Sequence, residues 1–199
     1  MLKKLVAVFA LGTSLMAMHE FELNLNNHDL DARLDLDMGQ FNASVEPDSV
    51  FFGGRYLYGS KENSDSKIDS DHYLLDGHFR VQQQLANVPA LTVGMGMKLV
   101  YTSIEDEDFY ALPLGIHVRY RLPVEAVPFY VGGRFYYSPQ VLSFQDAKNY
   151  MEYQIGLDVM LIDRAGVTAG YRKIDTNFDI SDGDATFNES WFLGVKFRF

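Results

Sequence analysis

The chain has 199 residues, no cysteine, and 27 acidic against 17 basic side chains, for a formal net charge of −10. That length supports one domain with a sizeable core, and a hydrophobic content of 47% argues against disorder. Without thiols there is no disulfide framework and no thiolate metal site, and so acidic a chain is a poor partner for nucleic acid.

The first element is a leader. MLKKLVAVFALGTSLMA opens on Lys3 and Lys4, continues through an apolar stretch from Leu5 to Leu11, and closes on small residues near Ala17. This three-part layout predicts a secretory signal peptide over residues 1–17, because the apolar stretch is too short to span a bilayer. The remainder, 18–199, is expected to form a single domain. It holds no run of 18 apolar residues, so no transmembrane helix is available.

Beyond the leader, the chain is a series of two-residue alternations. EFELNLNN (20–27) places Phe21, Leu23 and Leu25 on one face. DLDARLDLDM (29–38) sets Leu30, Ala32, Leu34, Leu36 and Met38 against Asp31, Arg33, Asp35 and Asp37, with a parity shift at Asn26-Asn27-His28 that a tight turn would require. SVFFGGRYLYG (49–59) carries Val50, Phe52, Tyr56 and Tyr58 opposite Arg55, and HYLLDGHFRVQ (72–82) carries Tyr73, Leu75, Phe79 and Val81 opposite His72, Asp76, His78 and Arg80. The pattern recurs in 90–102, with Lys98 among glycines on the polar row, and in 109–122, with His117, Arg119 and Arg121. It continues in 128–138 with Arg134, in 149–161 with Glu152 and Asp158, and in 166–172 with Arg172. The chain ends on ESWFLGVKFRF, where Trp191, Leu193, Val195, Phe197 and Phe199 alternate with Phe192, Gly194, Lys196 and Arg198.

A period of two means β-strands with one apolar and one polar face. Most segments run about 9–13 residues, against about 5–6 for ordinary strands, and a tilted strand needs about 9–11 to cross the hydrocarbon of a membrane. The connections alternate between long polar stretches (61–71, 138–148, 177–187) and short ones (85–89, 163–165), as in outer-membrane barrels. The expected fold is therefore all-β: a transmembrane, antiparallel, up-and-down barrel of ten strands. Eight strands plus an N-terminal extension is the alternative, because the turn near Asn27 is tight and 39–48 is long.

Two features place lipid outside. The polar row carries charge at mid-strand (Arg80, Lys98, Arg119, Arg134, Asp158), and aromatic residues gather near strand ends. Tyr56, Tyr58, Tyr101, Tyr110, Tyr120, Phe129, Tyr137, Tyr150, Trp191 and Phe199 are expected in interfacial girdles. A soluble barrel would invert the two faces. On this reading Trp191, Leu193, Val195, Phe197 and Phe199 form the lipid-facing row of the closing strand. A C-terminal aromatic on such a row resembles the signal read by the barrel-assembly machinery of the outer membrane.

The stretch PFYVGGRFYYSPQVLSFQDAKNYMEYQIGLDVMLIDRAGVTAGYRKID (128–175), with the terminal LGVKFRF, resembles the YfaZ family of small bacterial outer-membrane proteins. The resemblance implies a barrel of the Gram-negative envelope and implies no activity.

The expected lumen network comprises Arg55, Asp76, His78, Arg80, Lys98, His117, Arg119, Arg134, Glu152, Asp158, Arg172 and Lys196, with Arg121 and Arg198 nearby. Basic groups outnumber acids in the middle strands. Adding Glu20, Glu22, Asp31, Asp35 and Asp37 brings the lumen close to balance, which favours including the first two strands in the wall. A small barrel fills with side chains, so the expected role is structural or that of a minor pore. The rivals are a lipid-modifying enzyme at the outer rim and a surface protein whose acidic loops (105–108, 175–184) bind a cation or ligand. No residue is marked as catalytic or metal-binding, and no cofactor is implied. The expected partners are outer-membrane lipid, lipopolysaccharide and the assembly machinery, with oligomeric state left open.

Overall fold

The computed structural model describes residues 19–59, 72–104, 107–145, 147–178 and 184–199, so the leader lies outside the described residues. The strands are β1 (Glu20–Leu25), β2 (Asp29–Asp37), β3 (Val50–Gly59), β4 (His72–Leu85), β5 (Val88–Ile104), β6 (Glu107–Ala111), β7 (Leu114–Arg121), β8 (Phe129–Ser138), β9 (Ser143–Gln145), β10 (Ala147–Ile162), β11 (Ala165–Phe178) and β12 (Asp184–Arg198). Each wall strand pairs antiparallel with its neighbours in sequence. The ring closes where β1 meets β12, Phe21 opposite Phe197 and Leu25 opposite Leu193. Because β1 also pairs with β2, the N-terminal strands belong to the wall, and the eight-strand alternative is excluded.

The wall has ten positions because β6 and β7 form one strand broken at Leu112-Pro113. Both pair with β5 in a single register, Val100 opposite Ala111 and Met97 opposite Leu114. The alternation by itself joins 109–122 into one strand. Proline has no N–H for the ladder, so at Pro113 only the carbonyl takes part, accepting from Lys98 N at 3.0 Å. The Leu112 N–H donates instead to Leu142 O. β8 pairs with β7, and beyond Ser138 the short β9 pairs with β6.

Parity puts the alternating rows where lipid demands them. Met95, Ile116, Ile155, Trp191 and Leu193 stand exposed outside, while Arg55, Asp76, Lys98, Glu152 and Arg172 are buried inside. Closure matters because an open edge in hydrocarbon would leave backbone groups unpaired at several kcal/mol each. Among the described residues no helix is long and apolar enough to cross a membrane. The chain is an outer-membrane β-barrel, with the start of β1 and the end of β12 at the periplasmic end. There His19 and Phe199 exchange backbone hydrogen bonds at 3.0 Å.

The tight turn at 26–28 is built by Asn26. Its Oδ1 accepts from His28 N at 2.7 Å and Asp29 N at 2.6 Å, an arrangement that mimics a backbone turn. The periplasmic segment between β2 and β3 holds the 3-10 turn Met38–Gln40, pinned by Asp37. The long loop expected at 177–187 is shorter than read, because β11 runs to Phe178 and β12 begins at Asp184.

Candidate functional site in the barrel lumen

The lumen is stacked in three layers along the barrel axis. The middle layer is ionic. Glu152, fully buried, accepts from Arg55 Nη1 at 2.5 Å, Lys98 Nζ at 2.6 Å and the Tyr150 hydroxyl at 2.8 Å. Arg55 Nε also lies 3.1 Å from Asp76, and Lys98 Nζ lies 3.5 Å from the same carboxylate. His78 sits between two acids, Nδ1 at 2.7 Å from Asp76 Oδ1 and Nε2 at 2.5 Å from Asp35 Oδ1. Towards the outer end, Arg172 donates to Asp31 and to Asn188 Oδ1 at 3.0 Å, while Asn188 donates to Asp29 at 2.7 Å.

Charges of opposite sign meet between neighbouring strands and across the lumen. The acids of β2 face cations of β3, β4 and β11, and Glu20 and Glu22 of β1 face Lys196 of β12 at 3.4 and 3.2 Å. Small residues leave room for the large groups. A Cβ on Gly94 would collide with the His117 ring, and one on Gly115 would collide with the Tyr136 ring, over which Lys98 rests.

The outer layer is apolar. Leu57, Leu74, Val100, Phe109, Ala111, Ala147, Tyr150, Ile174 and Phe187 form one cluster, each at most 5% exposed. They come from the inward rows of the strands near their outer ends. His72 joins them, its Nε2 donating to Phe187 O at 3.0 Å and its ring meeting the Phe187 ring edge-on. A reading of the lumen as charged throughout misses this layer. Its signal is present as consecutive apolar residues, Leu74-Leu75, Leu99-Val100-Tyr101 and Phe109-Tyr110-Ala111, where one face of the strand meets the cluster and the other faces outward. Tyr150 corrects the girdle expectation: it is fully buried in the lumen, because it shares the inward row of Glu152 and Gln154.

The periplasmic layer is a small polar cup of about 80 Å³. Arg80, His117, Arg119, Arg134, Asp158, Lys196 and Arg198 line it with Glu20, Glu22 and Asp48. Lys196 lies 2.9 Å from Asp158, Arg119 is 3.4 Å from the same carboxylate, and Arg198 is 3.2 Å from Glu20. His117 Nε2 is 3.0 Å from Gln82 Oε1. Arg121, expected in the lumen, is exposed below the cup. The twelve residues read as a lumen network point inward, divided between the ionic layers and the cup. Of the expected closing-strand row, Trp191, Leu193, Val195 and Phe197 face outward, while Phe199 is partly covered by the His19 ring.

A charged lumen inside greasy outer rows accords with the family match: the YfaZ precursor family model covers residues 3–199. The chain belongs to the YfaZ family. No curated protein matches it in sequence. In fold it is similar to a bacterial polysaccharide outer membrane secretin, at 11% identity and TM-score 0.45, over 90% of this chain and 69% of that one. It is also similar to OmpT, an outer membrane protein of Vibrio cholerae, at 9% identity and TM-score 0.35, over 86% of this chain and 56% of that one. This YfaZ-family barrel gathers its charged groups in the lumen. Among the described residues no cluster of His, Asp and Glu is arranged to hold a metal ion. The acidic stretches 105–106 and 179–183 lie outside the described residues.

Proposed function

We propose that this YfaZ-family barrel is a sealed structural element of the outer membrane rather than a pore. The observation that carries the reading is the layering: an apolar cluster blocks the outer end, and beneath it a paired ionic layer occupies the lumen. A solute would have to displace Phe109, Phe187 and Leu74, then separate Lys98 and Arg55 from Glu152. Removing one partner of such a buried pair costs about 3–5 kcal/mol, and here two pairs on one carboxylate would have to open together with the apolar cluster.

An enzymatic role gains little support from the acid–His–acid constellation at His78. Both nitrogens of His78 are engaged by carboxylates, so neither is free to take a proton from a hydroxyl. On this reading the outer-membrane lipid and lipopolysaccharide contact the apolar exterior, and the assembly machinery recognises the β12 row that ends at Phe199.

Planar-bilayer recording on the purified, refolded barrel tests the proposal. Conductance at the lipid background, at both voltage polarities, is the expected result. Reproducible single-channel steps from the wild-type chain would overturn it.

A further inference from the structure

We infer that the periplasmic cup is an oxyanion-binding site, with Asp48 as its resident internal anion. Five cations line it: Arg80, Arg119, Arg134, Lys196 and Arg198. The wall supplies three carboxylates, Glu20, Glu22 and Asp158, and Lys196 lies within 3.4 Å of all three. Among the residues that line the cup, the strands thus supply two more cations than anions, and one cation is still in excess once Asp48 is counted. Among the described residues Arg80 reaches only Asp35, at 3.9 Å, and Arg134 lies 3.6 Å from Glu22. The nearest thing to a balancing charge is Asp48, which comes from the 38–49 segment and not from the barrel.

Asp48 is held in place from several sides. Its backbone is left-handed, φ 62°, uncommon for a residue with a side chain. Its N–H donates to Asp37 Oδ2 at 2.9 Å, and its carbonyl and carboxyl accept from Gln82 Nε2 at 2.9 and 3.1 Å. Its carboxyl faces Arg80, Arg119 and Arg198 without coming within ion-pair distance of any of them, and burial holds it above the usual carboxylate range.

Unused donors converge on the same space. The Nε–H groups of Arg80 and Arg119 are buried without a hydrogen-bond partner. The guanidinium groups of Arg80 and Arg119 stack on Phe51 and Tyr130, at 4.4 and 4.0 Å from the ring centroids. Stacking fixes their planes and leaves their edges to bind, the geometry in which arginine recognises phosphate or carboxylate. The volume suits one tetrahedral oxyanion or a few waters and is far below the roughly 300–1,000 Å³ of a drug-sized pocket. The ligand is thus a phosphate-sized anion, either free or as the terminal group of a larger periplasmic molecule entering by its anionic end.

The site is independent of whether the barrel conducts, so failure of one proposal leaves the other standing. Calorimetric titration of the full barrel in detergent with inorganic phosphate, and separately with glycerol 3-phosphate, tests it. Saturable one-to-one binding is expected. Arg119→Gln should weaken it about tenfold or more, since a charge-assisted bond is lost. Asp48→Asn keeps the wall intact and tolerates the left-handed backbone, and it should tighten binding severalfold by removing the competing carboxylate. Binding of phosphate alone assigns the cup to the free ion, and binding of both assigns it to a terminal phosphate. Absence of binding in wild type and in Asp48→Asn, or binding that neither substitution changes, overturns the inference.

Discussion

Among single residues, Glu152 holds the middle layer together. It is fully buried and takes donors from β3, β5 and its own strand. Glu152→Gln leaves Arg55 and Lys98 to share Asp76, so we expect a loss of about 3–5 kcal/mol in reversible urea unfolding from lipid vesicles. The double replacement Lys98→Met with Glu152→Leu removes both charges of one pair and should recover much of that loss; a single-site effect under about 1 kcal/mol would contradict the paired layer. Asp48 behaves in the opposite sense. Burial raises its carboxyl above the ordinary value of 3.8, although Arg198, Arg80 and Arg119 oppose this and Glu20 reinforces it. The folded chain then binds that proton more readily than the unfolded chain. Stability from this group is greatest in acid and falls as pH rises from 3.8 through the folded value. Asp48→Asn should therefore raise the unfolding midpoint at neutral pH, with the gain shrinking as pH drops towards about 4. A gain that grows in acid would refute the assignment.

Along each strand, period and lipid depth govern the outer row. Ile155 lies mid-way along β10, opposite Gly133 of β8 and Tyr171 of β11, and is 60% exposed. Leu161 is similarly exposed, at 63%, but sits at the periplasmic end of the same strand. A charge on the lipid face costs about 2–4 kcal/mol at the midplane and about 0–1 near the interface. Ile155→Lys should therefore lower unfolding stability in vesicles by at least about 1 kcal/mol more than Leu161→Lys. Equal costs would place the membrane elsewhere along the wall. The parity of nearly every strand is legible in the sequence, because lipid outside and charge inside impose it residue by residue. The break at Pro113 is less so: its missing N–H is local, but whether the strand ends or resumes in register depends on β5 alongside.

For the barrel as a whole, closure depends on the first and last strands meeting. Phe199 and His19 join them at the periplasmic rim by two backbone hydrogen bonds, and the His19 ring lies 5.4 Å from Phe41 and 5.7 Å from Phe199. Phe199→Ala keeps those backbone bonds and removes only the terminal ring. The expected outcome is a severalfold lower yield of membrane-inserted barrel in cells, with the refolded protein in detergent nearly as stable as wild type. Unchanged cellular insertion would show that the terminal aromatic is not read during assembly.

The all-β class, the ten alternating segments and the inward direction of the residues named for the lumen are all readable in the linear chain. They stem from a period of two and from the charge balance that drew β1 and β2 into the wall. The axial order of the layers is not readable there. Leu74 and Asp76 share an inward row, yet one joins the apolar outer cluster and the other the ionic layer, and that depends on the stagger of neighbouring strands. Nor does the linear chain place Asp48 over the cup, because that position comes from the fold of a periplasmic segment against β4. Alternation is a local rule imposed by the pleat and the membrane. Which charges meet across the lumen is decided by residues far apart in the chain, such as Asp31 and Arg172, once the ring has closed.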